Sequence, residues 1–229
     1  MRLHRFYSKQ RIDVQNQISI DDLDLIRQLT KVFRYKKGDK MIFFDGSGSD
    51  FVCQIDEIHK DTGLFSVIET MKSPFILSKE INLFVSIIKK DKFEWIVEKA
   101  TEIGINKIIP ILTERSEKKD LNIERLNKIA IEASEQSGRG SITTIENIIS
   151  FSEALEYKPD IILDLFGNEF DSKKYSAKQK INILIGPEGG WSDTERQVFK
   201  NNGLNTTCLG KQTLKTETAS IVISGLLSF

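Results

Sequence analysis

The sequence predicts an α/β protein with a smaller β-rich part at its N-terminal end. Three observations predict it. Beyond Ser73-Pro74, short apolar runs alternate with stretches of helical periodicity, the pattern of a mostly parallel sheet covered on both faces. Before that dipeptide, strand-like runs are joined by glycine-containing turns, as in a small barrel or meander. Near the C-terminal end, two strand ends release glycine-containing loops that each run into a helix, which in an open α/β sheet is where a ligand sits. The expected division is residues 1–72 and residues 73–229.

The N-terminal part holds one helical stretch and three strands. Leu23, Ile26, Leu29 and Val32 or Phe33 recur at helical spacing, so a short helix is expected near 21–34. Lys40–Asp45, Phe51–His59 and Leu64–Thr70 read as strands, separated by Gly46-Ser47-Gly48-Ser49 and Asp61-Thr62-Gly63. Residues 1–40 carry ten lysines and arginines against five aspartates, a local positive excess. That excess fits RNA contact and an ordinary solvated surface equally.

After the linker, Ile81–Ile88 reads as a strand. Phe93, Ile96, Val97, Ala100 and Ile103 or Gly104 form one helical face, with Gly104 placed as a stop. Ile108–Leu112 is a strand, and Leu126, Ile129, Ala130 and Ala133 mark a helix ending at Gly138. A short helix near Ser152–Glu156 precedes Pro159, and Ile161–Phe166 is a strand. Ile181–Ile185 is a buried strand broken by Gly186-Pro187-Glu188-Gly189-Gly190. Ser192-Asp193-Thr194-Glu195 has capping-box spacing, so a helix starts there and stops near Gly203. A strand near Thr206–Leu209 ends at Gly210, and Lys215–Ala219 opens an apolar last helix.

Composition narrows the classes. Hydrophobic residues make up 39% and charged residues 29% of 229, which suits a soluble globular protein. Lysine plus arginine equals aspartate plus glutamate at 33 each, so a nucleic-acid partner has to be argued from local patches. The N-terminal stretch has no apolar run of signal-peptide length, and nowhere do about 18 apolar residues follow one another. No membrane span is expected, and the cytoplasm is the default location. Cys53 and Cys208 lack CxxC spacing and, with His4 and His59, make no metal set; buried free thiols and no metal are expected. Neither GxGxxG nor GxxxxGK[ST] occurs, which disfavours Rossmann dinucleotide and P-loop chemistry.

Taken together, IGPEGGWSDTE and LGKQTLKTETA at 185–195 and 209–219 resemble the C-terminal signature of the RsmE family of SPOUT-class methyltransferases. Three further pieces match in order: Lys89-Lys90-Asp91-Lys92 with Glu98–Gly104, Glu114-Arg115-Ser116, and Glu132–Arg139. The resemblance covers most of 81–221. His4-Arg5-Phe6 and Val32-Phe33-Arg34 with Lys37-Gly38-Asp39 are similar to the family's N-terminal PUA-like module, an RNA-binding barrel. The chain has Lys215 where the family usually has arginine, and Gly140-Ser141-Ile142-Thr143 follows Arg139 without the usual proline.

The resemblance implies a trefoil-knotted C-terminal domain, a homodimer, S-adenosylmethionine as cofactor, and methylation of N3 of a uridine in 16S ribosomal RNA of the small ribosomal subunit. It puts the cofactor against Leu165, Gly167, Ile185, Gly186, Pro187, Gly189, Gly190, Leu209, Gly210, Leu214, Thr218 and Ala219. The chemistry needs groups that stabilise an imide anion and a group that takes its proton. Arg139 and Lys215 are the candidates for the first task, Glu188 and Glu217 for the second. Arg2, Arg5, Arg34, Lys37, Lys89, Lys92 and Arg115 are the expected RNA contacts. Two other functions stay open: a SPOUT enzyme acting on another base or RNA, and a non-catalytic RNA-binding factor in ribosome assembly.

Overall fold

The computed structural model describes residues 3–13, 17–75, 79–116 and 119–229. The chain divides into two compact units, Met1–Ile76 with Ser134–Ile142, and Leu77–Ala133 with Thr143–Phe229. The first break lies close to the expected linker. Membership of 134–142 in the first unit is something a single cut at Ser73-Pro74 does not provide for.

In the first unit, strands β1 (Arg5–Tyr7), β2 (Ile18–Ile20), β3 (Lys40–Phe44), β4 (Ser49–Ile58) and β5 (Gly63–Lys72) form one sheet of order β1-β3-β4-β5-β2. The three strands read from the sequence are its centre; β1 and β2 are edges too short to show a period. β1 runs parallel to β3, and the other pairs are antiparallel. Phe6, Ile20, Met41, Phe43, Cys53, Ile55 and Phe65 close one core against helix α1 (Leu23–Arg27). Asp22 caps α1 by accepting from the amides of Asp24 and Leu25. The helix continues as a π-turn over Gln28–Val32, with Phe33 N–H donating to Gln28 C=O. That extra residue in the turn takes Val32 off the apolar face. Ile26 and Leu29 are fully buried, whereas Val32 is 71% exposed.

The second unit holds a seven-stranded sheet. Its strands are β6 (Glu80–Ser86), β7 (Lys107–Leu112), β8 (Thr144–Ile145), β9 (Ile149–Ser150), β10 (Ile161–Glu169), β11 (Lys180–Ile185) and β12 (Thr206–Cys208). The order is β12-β10-β11-β6-β7-β8, with β9 also on β7, and every pairing is parallel. Strand alternation fills both faces. Ile81, Leu83, Val85, Ile181, Ile183 and Ile185 join a core with helices α2 (Lys90–Ile103), α3 (Ile123–Ser137) and α6 (Thr216–Ser228). Phe84, Ile109, Ile162 and Leu184 face α4 (Phe151–Glu156), α5 (Asp193–Asn201) and Trp191. Burial on both sides is why these strands read as continuous apolar runs. Gly104 takes the left-handed conformation that ends α2, at φ 114°. Ser192 and Glu195 form the expected capping box of α5. β11 lies between β10 and β6, and the chain then leaves it for β12 on the far side of β10. The strand order therefore reverses where the loops after β10, β11 and β12 meet.

Candidate functional site

A cavity of about 280 Å³ lies at the C-terminal ends of β10, β11 and β12, within the second unit. Each strand end supplies one wall.

The first wall is a break in the ladder. β10 pairs with β12 through Leu163↔Thr207 and resumes at Asn168↔Thr207, so 164–167 are extruded. Asp164, Leu165 and Phe166 thereby reach the cavity. Gly167 closes the break: a Cβ there would stand 2.4 Å from the Thr207 nitrogen and 2.5 Å from the Thr206 carbonyl carbon. Asp164 is forked by Arg196, with Nε–Oδ2 at 2.8 Å and Nη2–Oδ1 at 3.2 Å. The hydrogen bond from Arg196 to Asp164 raises the guanidinium pKa. Its carbon lies 5.4 Å from the ring centre of Phe166, which is 80% exposed.

The second wall is Ile185–Trp191. Gly190 N–H donates to Pro187 C=O at 2.8 Å, and Gly190 has φ 65°, so this turn needs a glycine. Trp191 is buried and donates its indole N–H to Leu163 C=O at 2.8 Å, tying the second wall to the first. Its ring stands 3.0 Å from where a Cβ on Gly186 would be. Thr216 Oγ1 donates to Gly186 C=O at 2.9 Å and joins the third wall to the second. That third wall runs through Thr207–Gly210, Gln212–Leu214, Thr216 and Ala219. Gly210 has φ 142° and faces open space, with no atom within 4 Å of a built Cβ.

Ten of the twelve expected cofactor residues line this one cavity: Leu165, Ile185, Gly186, Pro187, Gly189, Gly190, Leu209, Gly210, Leu214 and Ala219. Gly167 backs the first wall, and Thr218 is exposed on α6 outside the lining. Of the expected catalytic groups, Glu188 is in the wall and exposed. Lys215 is the exposed N-cap residue of α6, directly before the wall residue Thr216. Glu217 is buried on α6, with Oε1 3.7 Å from Lys92 Nζ.

Arg139 is placed differently from the loop rim its sequence position suggests. It belongs to the first unit and is 2% exposed. Its carbonyl accepts from Arg5 Nη2 at 2.9 Å, its backbone bridges to Phe75, and its Nη2 meets Ser141 Oγ at 3.3 Å. Burial pushes its guanidinium pKa down to about 10. Arg5 is also corrected as a surface cation. It is buried, forks Asp50 at 2.9 and 2.7 Å, and donates to Ser134 C=O at 3.2 Å. Arg34, Lys37 and Lys89 are exposed, Lys92 is part-buried beside Glu217, and Arg2 lies outside the described residues. Arg115 is exposed and donates Nη1 to Gly189 C=O at 2.8 Å and to Trp191 C=O at 3.4 Å.

Sequence reasoning missed Asp164, Trp191 and Arg196 in the wall. Trp191 directly after Gly189-Gly190 was a usable signal, since an indole there must pack against the glycine loop. The extruded segment had no local signal beyond the family resemblance at Leu165 and Gly167, because its shape exists only in the pairing with β12. Cys53 is buried and its thiol is pushed up to about 12, while Cys208 is half-buried in the cavity wall. Among the described residues, no group of three or more His, Cys, Asp or Glu is placed to hold a metal ion. No described helix is long and apolar enough to cross a membrane.

A parallel sheet whose order reverses over a loop-lined cavity is the ligand site of an open α/β domain, and the model of the RNA methyltransferase domain family matches residues 76–228. The chain is 32% identical to the ribosomal RNA small subunit methyltransferase E of Rickettsia conorii, over 96% of this chain and 93% of that one. It is 30% identical to the protein of the same name from Aquifex aeolicus, over 99% and 100%. The crystal structure of a ribosomal RNA small subunit methyltransferase E from Neisseria gonorrhoeae bound to S-adenosyl methionine superposes with a TM-score of 0.86, at 25% identity, covering 97% of this chain and 95% of that one. The chain belongs to the ribosomal RNA small subunit methyltransferase E family.

Proposed function

We propose that the chain is an S-adenosylmethionine-dependent methyltransferase acting on N3 of a uridine in 16S ribosomal RNA of the small subunit. The observation that carries this reading is the convergence of the two glycine loops and the extruded segment of β10 on one cavity.

The wall suits the cofactor chemically. Leu165, Ile185, Leu209 and Leu214 offer apolar surface to an adenine ring, and the glycine loops let main-chain donors and acceptors approach its edge. Glu188 supplies negative charge for a cationic ligand. When bound, S-adenosylmethionine supplies an electrophilic methyl group on a positively charged sulfur. The chain has to hold the uridine in line with that group, an orientation effect. Glu188 is the group that accepts the N3 proton or holds the cation, and Lys215 stabilises the developing imide charge at the N-terminal end of α6. Arg139 and Glu217, both buried, carry no reacting role in this reading.

The same reading includes a PUA-like RNA-binding barrel built on the five-stranded sheet, with Arg34 and Lys37 as its phosphate contacts. It includes a knotted C-terminal path, supported by the insertion of β11 between β10 and β6. It includes a homodimer, supported by the exposed apolar Val222, Leu226 and Phe229 on and after α6. A ribosomal RNA substrate puts the protein in the cytoplasm. The test is mass spectrometry of small-subunit RNA incubated with the chain and S-adenosylmethionine. N3-methyluridine at one site supports the reading; a methyl group on another base, or none, refutes it.

A further inference from the structure

The segment Thr113–Ser116 follows β7 and forms a closed turn: Ser116 N–H donates to Thr113 C=O at 3.1 Å, and Thr113 N–H donates to Ser116 Oγ at 3.0 Å. The two residues inside that turn are spent on the neighbouring glycine loop and on the start of α5. Glu114 N–H donates to Glu195 Oε1 at 3.0 Å, and Glu114 Oε2 accepts from Ser192 Oγ at 2.6 Å. Ser192 and Glu195 are the capping pair of α5, joined to each other by Ser192 N–H to Glu195 Oε2 at 2.9 Å and Glu195 N–H to Ser192 Oγ at 3.1 Å. Ser192 and Glu195 are both buried, so the hydrogen bonds between them are shielded from water, while Glu114 reaches them from an exposed position. Arg115 completes the attachment from the open side. Its Nη1 reaches the carbonyls of Gly189 and Trp191, and its Cδ lies 3.5 Å from where a Cβ on Gly189 would be.

These contacts bear on function because of what they hold. In the proposed cofactor site Gly186–Gly190 meets S-adenosylmethionine through its main chain, so peptide orientation is the geometry of the site. A loop with three glycines has the greatest freedom to turn its peptides. One charged donor on the Gly189 carbonyl and on that of Trp191 just after the loop removes much of that freedom, and hydrogen bonds to charged groups are the stronger kind. A lysine in the same place keeps the charge but loses the planar, directed set of donors.

We propose that Arg115 is a positioning residue for the cofactor loop rather than an RNA contact: it fixes the Gly189 and Trp191 peptides so that the second wall stands ready for S-adenosylmethionine. The proposal rests on the assignment of this cavity to that cofactor. Preorganisation of this kind lowers the free energy spent on ordering at binding.

The experiment measures cofactor affinity by calorimetry and RNA affinity by fluorescence anisotropy at two salt concentrations, for the intact chain and for Arg115→Lys and Arg115→Met. In Arg115→Met, S-adenosylmethionine binding falls by about tenfold or more, RNA affinity stays at the wild-type value, and the KM for the cofactor rises while turnover at saturation holds. Arg115→Lys keeps the positive charge and loses the directed donors, so it weakens cofactor binding by several-fold with RNA binding intact. If Arg115→Met is too unstable to assay, this variant alone decides. Wild-type cofactor affinity in Arg115→Lys overturns the proposal. So does a loss confined to RNA binding with a shallower salt dependence, which would make Arg115 a phosphate contact. A wild-type chain that takes up no S-adenosylmethionine would fail at the cavity assignment instead, before either variant is read.

Discussion

Arg5 and Arg115 perform similar tasks in opposite surroundings. Each donates to two backbone carbonyls distant in sequence: Arg5 to Ser134 and Arg139, Arg115 to Gly189 and Trp191. Arg5 does so buried in the N-terminal unit, with Asp50 as counter-charge and the Phe44 ring 4.3 Å from its guanidinium carbon. Arg115 does so exposed in the C-terminal unit. A buried ion is tolerated only when its partners are complete, so removing one strands the other. An exposed ion is hydrated either way, and its removal costs the fold little. The first arginine is therefore a condition of folding, the second a condition of loop shape.

The largest expected effect tests the buried side of this contrast. Arg5→Ala leaves Asp50 with Ser73 Oγ as a neutral donor and no counter-charge, and should cost about 3–5 kcal/mol. Urea unfolding should show it, and Arg5→Ala with Asp50→Asn should recover part of the loss. A loss no larger than that of Arg115→Met would break the comparison. Next comes a charge on the exposed side. Lys215→Ala should lower single-turnover methylation on the order of a hundredfold while melting temperature and cofactor affinity stay near wild type. Lys215→Arg should be tolerated. Unchanged turnover in Lys215→Ala would remove it from the reacting end.

A smaller effect is expected from a change that adds no charge. Gly167→Ala puts a methyl group 2.4 Å from the Thr207 nitrogen, so β12 or the extruded segment must shift. We expect a stability loss of about 1–3 kcal/mol together with weaker cofactor binding, read in one calorimetric series. The smallest effect marks the floor for exposed pairs. Arg125 forks Glu94 at 2.6 and 2.9 Å, and this hydrogen bonding lowers the Glu94 pKa below its usual 4.5. A lowered carboxylate contributes stability above its unfolded value and loses it as pH falls through the folded one. Glu94→Gln should therefore reduce stability at pH 7 by about 0.2–1 kcal/mol and have no effect in strong acid. Denaturant midpoints followed from pH 7 down into strong acid check it.

Local signals carried most of the architecture. Apolar runs bounded by turns marked the central strands, because both sheet faces bury their residues. The capping box at Ser192 and the glycine stop at Gly104 are one-turn devices visible within four residues. What stayed hidden depends on partners far along the chain. Arg139 looked like a rim residue because its burial comes from Phe75 and Arg5. Arg5 looked like a surface cation because Asp50 is 45 positions away. Spacing left Val32 or Phe33 open as the core residue, because it does not distinguish an α-turn from a π-turn; Phe33 is the one packed against the core. The glycine loops of the cavity were readable from local signals, whereas Leu165 and Gly167 on the wall from β10 came from the family resemblance alone, since the shape of that wall is a register event between two strands.

That register event has a consequence for change over time. Thr207 serves as the pairing partner both before and after residues 164–167, so the ladder counts nothing in between. Residues inserted or deleted there alter the rim of the cavity while β10, β11 and β12 keep their alignment on either side. Gly167, pressed on the neighbouring backbone, and Asp164, its buried carboxylate forked by Arg196, are excluded from that freedom. The molecule thus carries a stretch whose length and side chains can be rewritten without renegotiating the sheet, placed where a new ligand preference would be tried out.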